Sequence, residues 1–364
     1  MCQRSHFSAG PTGKTLSMTS FTLSSDDWLT RETQFAAFAT GPLLDFWRLR
    51  EEGEFSGVGG VPIRFVRFSS ARHQRVVVVS PGRIESYVKY PEVAYDLFHS
   101  GYDVVIVDHR GQGRSGRLLA DTHRGHVVNF ADYVDDFEQL WQREVESRGY
   151  RQRFALAHSM GGAILAQFLQ RRPQAFDAAA FCAPMFGIQL PMPGWLADRI
   201  LDWAETRPAI RDYYAVGTGQ WRPLPYVVNV LTHSRERYRR SLRYYADYPE
   251  LQVGGPTYHW VRESIRAGRQ IIAQAGEITT PLLLLQAGEE RVVDNRSHQA
   301  FCQALSDAGR PCEGGLPWVI NGARHEILFE RDAMRAEALN AILRFFAQHL
   351  GGALPPTTPS EVRT

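Results

Sequence analysis

The sequence predicts an α/β fold: a mostly parallel sheet with helices on both faces and a helical insertion in the second half of the chain. Three observations carry this. Short apolar runs at 76–80, 102–108, 154–158 and 178–183 alternate with segments of helical period. The alternation stops near Met185, gives way to Pro-bounded helical patterns up to about Thr280, and resumes at Leu282. Finally, Ala157-His-Ser-Met-Gly-Gly joins an apolar run directly to a helical pattern, the strand, sharp turn, helix setting that holds a serine exposed at its apex.

Taken in order, residues 1–25 are rich in Ser, Thr and Gly without hydrophobic period and are expected to form a disordered extension, in which Met18 is an alternative start. Gly10-Pro-Thr-Gly-Lys-Thr is similar to the end of a phosphate loop. Ser8 stands where that motif needs its first glycine, and no strand precedes it, so nucleotide binding is given no weight. Between 28 and 50, Phe35, Phe38, Leu43, Phe46 and Trp47 are spaced for helical packing, with a break at Gly41-Pro42. Runs 54–58 and 61–68 flank Gly59-Gly60, a hairpin signature.

The β-α series then follows: strand 76–80, helix 88–99, strand 102–108, helix 129–148 capped by Asn129, strand 154–158, helix 159–171 and strand 178–183. Helical patterns at 195–206, 234–245 and 258–275 make the insertion, placed at 185–280 and expected to cap the C-terminal edge of the sheet, where α/β proteins carry their sites. Strand 282–286, helix 296–308, short strand 317–320 and helix 332–350 complete the core. The core thus divides into 26–184 and 281–350, and residues 351–364 are expected to be a flexible tail.

The chain has 364 residues and a formal net charge of +2, which does not point to nucleic acid. No apolar run is long enough to cross a bilayer, and residues 1–20 lack the core of a signal peptide, so a cytoplasmic location is expected. Cys2, Cys182, Cys302 and Cys312 have no metal-ligand spacing and read as free thiols. His325-Glu326 suggests a zinc motif, but Phe329 occupies the place of the second histidine. No metal site is expected.

A nucleophilic serine needs a base, an acid to orient that base, and N–H donors for the tetrahedral oxyanion. Ser159 has these partners in the chain order serine, acid, histidine, which disfavours the rival reading of Ser159 as a helix cap. His325, in the loop after the last short strand, is the candidate base. The loop after strand 282–286 offers Glu290 and Asp294 as acids, with Glu289 a weaker third, and the residues alone leave the choice open. The backbone N–H groups of Met160 and Arg83 are the candidate oxyanion donors. The stretch Asp108-His-Arg-Gly-Gln-Gly-Arg-Ser reads as a supporting loop, with Arg110 fixing it by hydrogen bonds.

Arg235-Glu-Arg-Tyr-Arg-Arg-Ser-Leu-Arg-Tyr-Tyr is basic and aromatic, so Arg235 and Arg239 are candidates for a phosphate headgroup or an anionic membrane surface, against the plainer reading of a solvated helix face. Glu85 and Lys89, one helical turn apart, either contact glycerol and headgroup or pair with each other. Trp195, Leu196, Trp203, Trp221 and Tyr226 either line an acyl tunnel or pack as core.

Pro81-Gly-Arg-Ile-Glu-Ser-Tyr-Val-Lys-Tyr, Asp108-His-Arg-Gly-Gln-Gly-Arg-Ser, Ala157-His-Ser-Met-Gly-Gly, Gly254-Gly-Pro-Thr-Tyr-His-Trp-Val-Arg-Glu-Ser and Glu290-Arg-Val-Val-Asp-Asn together resemble the monoacylglycerol lipase group of α/β hydrolases. Within that group they are similar to the bacterial lysophospholipases of the L-two type, over about residues 26–350. The resemblance implies an eight-stranded α/β-hydrolase sheet. It implies hydrolysis of a lysophospholipid through an acyl-enzyme on Ser159, without metal or organic cofactor, by a protein peripheral on the cytoplasmic face of the bacterial inner membrane. It matches Glu290 to the acid, and it differs in having Pro81-Gly82 where the lipases carry His-Gly. A monoacylglycerol lipase or general carboxylesterase is the alternative enzyme, and a non-catalytic hydrolase fold used for binding is the alternative of another class.

Overall fold

The computed structural model describes residues 28–350, so the expected extension over 1–25, Cys2 and the expected tail over 351–364 lie outside the described residues. Helices α1 (Phe35–Thr40) and α2 (Pro42–Trp47) meet at Gly41, because Pro42 lacks the N–H that would continue the first and is preset to begin the second. Strands β1 (Glu51–Ser56) and β2 (Pro62–Phe68) pair antiparallel, and the connection turns through Gly59 and Gly60 at φ 68° and 79°. Then come β3 (Arg75–Ser80), α3 (Pro91–His99), β4 (Asp103–Val107), α4 (Phe130–Glu144), β5 (Gln152–His158), α5 (Met160–Arg171) and β6 (Ala178–Cys182). The helix expected from residue 88 begins instead at Pro91, since proline disfavours helical geometry in the residue before it and leaves 87–89 as a single tight turn.

Between β6 and β7 (Leu282–Ala287) the described residues contain no strand. They form α6 (Gly194–Glu205), α7 (Pro208–Arg211), α8 (Arg235–Asp247) and α9 (Tyr258–Ala273). The chain closes with α10 (Asn295–Asp307), β8 (Trp318–Ile320) and α11 (Asp332–Gln348).

The eight strands lie in the order β1-β2-β4-β3-β5-β6-β7-β8, antiparallel as far as β4 and parallel beyond it. Burial on both faces explains the unbroken apolar runs. Val76 and Val78 face a core shared with α4, α5, α9 and α10, while Val77 and Val79 face one shared with α2, α3 and α11. In β5 the alternation puts Ala155 and Ala157 on the first side and Phe154 and Leu156 on the second. Strand β5 is therefore held between β3 and β6 at mid-sheet, and its C-terminal end delivers Ser159.

Candidate active site

Ser159 sits between β5 and α5 at φ 50°, ψ −119°, a backbone conformation that an L-residue holds only when its surroundings enforce it. Two hydrogen bonds do so: Ser159 N–H donates to Cys182 O at 3.1 Å, and Met185 N–H donates to Ser159 O at 2.9 Å. Gly161 is required by contact. A Cβ there would stand 2.0 Å from Ser80 O and 2.5 Å from Pro81 O.

The structure brings His325 and Glu290 to this serine. His325 Nε2 lies 2.9 Å from Ser159 Oγ, and its Nδ1 lies 2.8 Å from Glu290 Oε2. With Nδ1–H donating to the carboxylate, Nε2 is left to accept from the hydroxyl. The second oxygen of Glu290 accepts from the N–H groups of Arg291, Val292 and Val293 at 2.9, 2.7 and 3.2 Å. Burial favours the neutral acid here, with the side chain 1% exposed, but the bond to His325 and these backbone donors outweigh it and hold the carboxyl below its usual range. Asp294 goes elsewhere. It caps α10, accepting from Arg296 N–H at 3.0 Å and pairing with the Arg296 side chain. Glu289 is exposed and faces His233 at 3.3 Å.

Met160 follows Ser159 directly, and a Cβ on Gly82 would stand 3.2 Å from Ser159 Cβ, so the loop carrying Arg83 passes close to the serine; among the described residues neither the Arg83 nor the Met160 N–H donates to a protein acceptor. The loop carrying Arg83 is held from several sides. Gln112 Nε2 donates to Gly82 O at 2.7 Å and to Glu85 O at 2.8 Å, and its Oε1 accepts from Ile84 N–H at 3.2 Å. Asp108 accepts from Ser86 Oγ at 2.8 Å and from Tyr87 N–H at 2.6 Å. The result is Ile84 at φ 71°, strain that these bonds sustain. Arg110 forks onto Asp136 at 2.7 and 2.9 Å and donates to Val58 O. The parts played by Gln112 and Asp108 had no distinct signal in the sequence beyond their place in a loop after a strand.

Glu85 and Lys89 pair at 2.8 Å, and Lys89 also meets Glu326 at 2.5 Å. The other oxygen of Glu85 accepts from Gly82 N–H and Tyr90 Oη, each at 2.6 Å, and faces His158 Nδ1 at 3.1 Å. His158 in turn reaches the backbone carbonyl of His325 with Nε2 at 3.1 Å. Both ring nitrogens thus face acceptors, which suits an imidazolium. Burial opposes that charge, yet the carboxylates of Glu85 and Glu326 raise the pKa of His158 above its ordinary value. His158 therefore ties the loop carrying Gly82 and Glu85 to the candidate base.

Arg235 and Arg239 are not brought to Ser159. They are exposed on α8, Arg235 over the Tyr226 ring at 5.2 Å and Arg239 against Glu236 at 3.0 Å. Arg237 between them is buried, which the basic run did not reveal. Trp195 and Trp203 are 64% and 48% exposed, so they pack neither as core nor as a closed tunnel wall. Trp221 packs against Tyr245 with ring centroids 5.8 Å apart.

A family model described as serine aminopeptidase, S33 matches residues 71–332. Over 323 residues the chain is 65% identical to lysophospholipase L2 of Escherichia coli strain K12, covering 89% of this chain and 95% of that one. It belongs to the lysophospholipase L2 family. Another member, the probable lysophospholipase L2 of Haemophilus influenzae, is 31% identical across 86% of this chain and 98% of its own. Among solved structures, a thermostable carboxyl esterase from Bacillus coagulans superposes with a TM-score of 0.66 at 16% identity, over 83% of this chain and 99% of that one. The lysophospholipase L2 family therefore has the α/β-hydrolase fold here, as expected from the sequence.

Proposed function

We propose that this protein is a serine carboxylic-ester hydrolase that frees the fatty acid from a lysophospholipid. The relay from Glu290 through His325 to Ser159 carries the reaction class, and similarity to proteins named lysophospholipase L2 supports the substrate. His325 takes the proton of Ser159 Oγ as that oxygen attacks the ester carbonyl carbon, and Glu290 stabilises the imidazolium. The tetrahedral oxyanion rests on the N–H groups of Arg83 and Met160, aided by the N-terminus of α5. As the C–O bond breaks, His325 returns the proton to the leaving glycerophospho-alcohol. Water, deprotonated by the same imidazole, then cleaves the acyl-serine ester.

In this reading residues 185–280 act as a cap that admits the lipid. Their exposed apolar side chains Trp195, Trp203, Val227 and Val228, and the exposed Arg235, Arg239 and Arg243 of α8, support peripheral contact with an anionic membrane on its cytoplasmic face. The test is product analysis with matched lysophospholipids and monoacylglycerols for the parent and Ser159→Ala. The parent should yield fatty acid and glycerophospho-alcohol and take a fluorophosphonate label at Ser159. Ester turnover by Ser159→Ala near the parental rate would remove the mechanism.

A further inference from the structure

Buried arginines in this fold are met by carboxylates. Arg31, Arg110, Arg237 and Arg335 each have one at 2.6, 2.7, 2.8 and 2.5 Å. Arg83 is half-buried, and its guanidinium has no carboxylate partner among the described residues. Its Nη1 donates to Gly254 O at 2.9 Å, and its Cζ lies 5.4 Å from the centroid of the Trp260 ring. Gly125 gives it space, since a Cβ at that position would stand 3.1 Å from Nη1. Nε and Nη2 have no protein acceptor among the described residues, yet they are absent from the fully enclosed, unsatisfied atoms, so they stay reachable. Burial lowers the pKa of the group to about 10, which leaves it charged at neutral pH without a counter-ion.

We propose that the Arg83 side chain is the anchor for the phosphodiester of the lysolipid headgroup, an assignment that rests on the substrate reading above. The covalent distances agree. In a 1-acyl lysophospholipid six bonds separate the ester carbonyl carbon from phosphorus, and six separate the backbone nitrogen of an arginine from its Cζ. One residue therefore serves both ends of the reacting segment: its N–H faces the developing oxyanion, and its side chain reaches as far as the phosphate. Nε and Nη2 form the edge of the guanidinium that grips two phosphate oxygens in parallel. Gly254 O and Trp260 hold the fork from the other side, so little rotamer entropy is lost on binding. A monoacylglycerol has no group to place there. The uncompensated charge thus gives a lysophospholipid an advantage that its uncharged analogue lacks.

The experiment compares kcat/KM for lysophosphatidylethanolamine and for a monoacylglycerol of the same acyl chain in the parent, Arg83→Met and Arg83→Lys. Taking the ratio cancels any effect on the oxyanion donor common to both substrates. Arg83→Met should lower the ratio about tenfold or more, the scale of one lost charge-assisted bond, and Arg83→Lys should lower it less. A ratio within about twofold of the parent in both variants overturns the anchor and leaves Arg83 as a clamp on the Gly254 turn. Inorganic phosphate should inhibit monoacylglycerol turnover by the parent and lose that effect in Arg83→Met. Loss of phosphate inhibition with an unmoved ratio would assign the site to free anions and overturn the headgroup assignment. A parent that cleaves monoacylglycerol but no lysophosphatidylethanolamine would overturn the substrate reading and the anchor with it, whereas a parent active on both with an unmoved ratio overturns the anchor alone.

Discussion

Glu290 accepts from His325 Nδ1–H with one oxygen and from three consecutive backbone N–H groups with the other. The glutamate is folded back over its own turn, and that turn keeps it ionised despite burial. Glu290→Gln preserves shape but removes the charge and places a donor where Nδ1–H already donates. It should lower kcat about a thousand- to ten-thousand-fold with little change in KM. Asp294→Ala should instead leave kcat near the parent and cost about 1 kcal/mol of stability through the lost cap. Steady-state kinetics and urea unfolding of the two variants check this, and a large loss of kcat in Asp294→Ala with a mild one in Glu290→Gln would reverse the assignment.

The pair of His158 and Glu85 makes stability depend on pH in a definite direction. The folded pKa of His158 is raised above 6.5, so its contribution is complete below that value and is lost as pH rises through the folded value. Burial opposes ionisation of Glu85, but Lys89 and His158 hold its folded pKa well below 4.5, so its contribution is complete above 4.5 and is lost as pH falls through the folded value. Both are complete between 4.5 and 6.5. Comparing urea midpoints of the parent and His158→Gln at about pH 6 and about pH 9 should show the parent's advantage shrinking at the higher pH. An advantage that grows with pH would mean that His158 is buried neutral.

The elbow and the place of the candidate base were legible in the sequence because each is local. A strand end, a tight turn and the next few residues determine where Ser159, Met160 and His325 stand. The choice between Glu290 and Asp294 was not local. Both follow β7 within one loop, and the decision depends on which backbone donors each carboxylate finds after the loop has closed. The different settings of the α8 arginines were hidden for a related reason. Arg235, Arg237 and Arg239 look alike along the chain, and only the approach of Glu92 and Asp332, 145 and 95 residues away, sets Arg237 apart. Trp195 and Trp203 carry the composition of a core but lie on the outside of the helical segment.

Gly161 tests how tightly the elbow is packed. The Cβ of Gly161→Ala would press on two backbone carbonyls at the end of β3, and neither can rotate away as a side chain tip would. The strand end leads directly into the loop that carries Arg83, so relief of the clash displaces the N–H proposed to hold the oxyanion. The variant should lose at least about 1–3 kcal/mol of stability and should lose ester turnover in the fraction that remains folded. Urea unfolding followed by activity of the folded pool checks both parts. Parental stability together with parental turnover would show that the elbow is looser than these contacts indicate.

Arg237 joins the helical segment to the core by charge. Its guanidinium forks onto Glu92 of α3 at 2.9 and 2.8 Å, meets Asp332 of α11 at 2.8 Å and donates to Glu330 O at 2.8 Å. Arg335 stands 3.5 Å from Glu92 and 2.5 Å from Asp96, and Arg31 also bonds Asp96, so the acids have other cations nearby. Burial resists the charge on Glu92, but Arg335 and then Arg237 overcome it and hold the carboxyl far below its usual range. Arg237→Met keeps much of the volume and leaves Glu92 and Asp332 short of one counter-ion in a buried site. If the remaining arginines did not adjust, the cost would be about 3–5 kcal/mol, and partial takeover by Arg335 places the expected loss at the lower end. The double variant Arg237→Met with Glu92→Gln removes the uncompensated charge and should recover part of that loss, a coupling that a double-mutant cycle in urea measures. Additive losses in that cycle would show that Arg237 acts through packing against Phe35, whose ring lies 5.4 Å from its Cζ, rather than through Glu92.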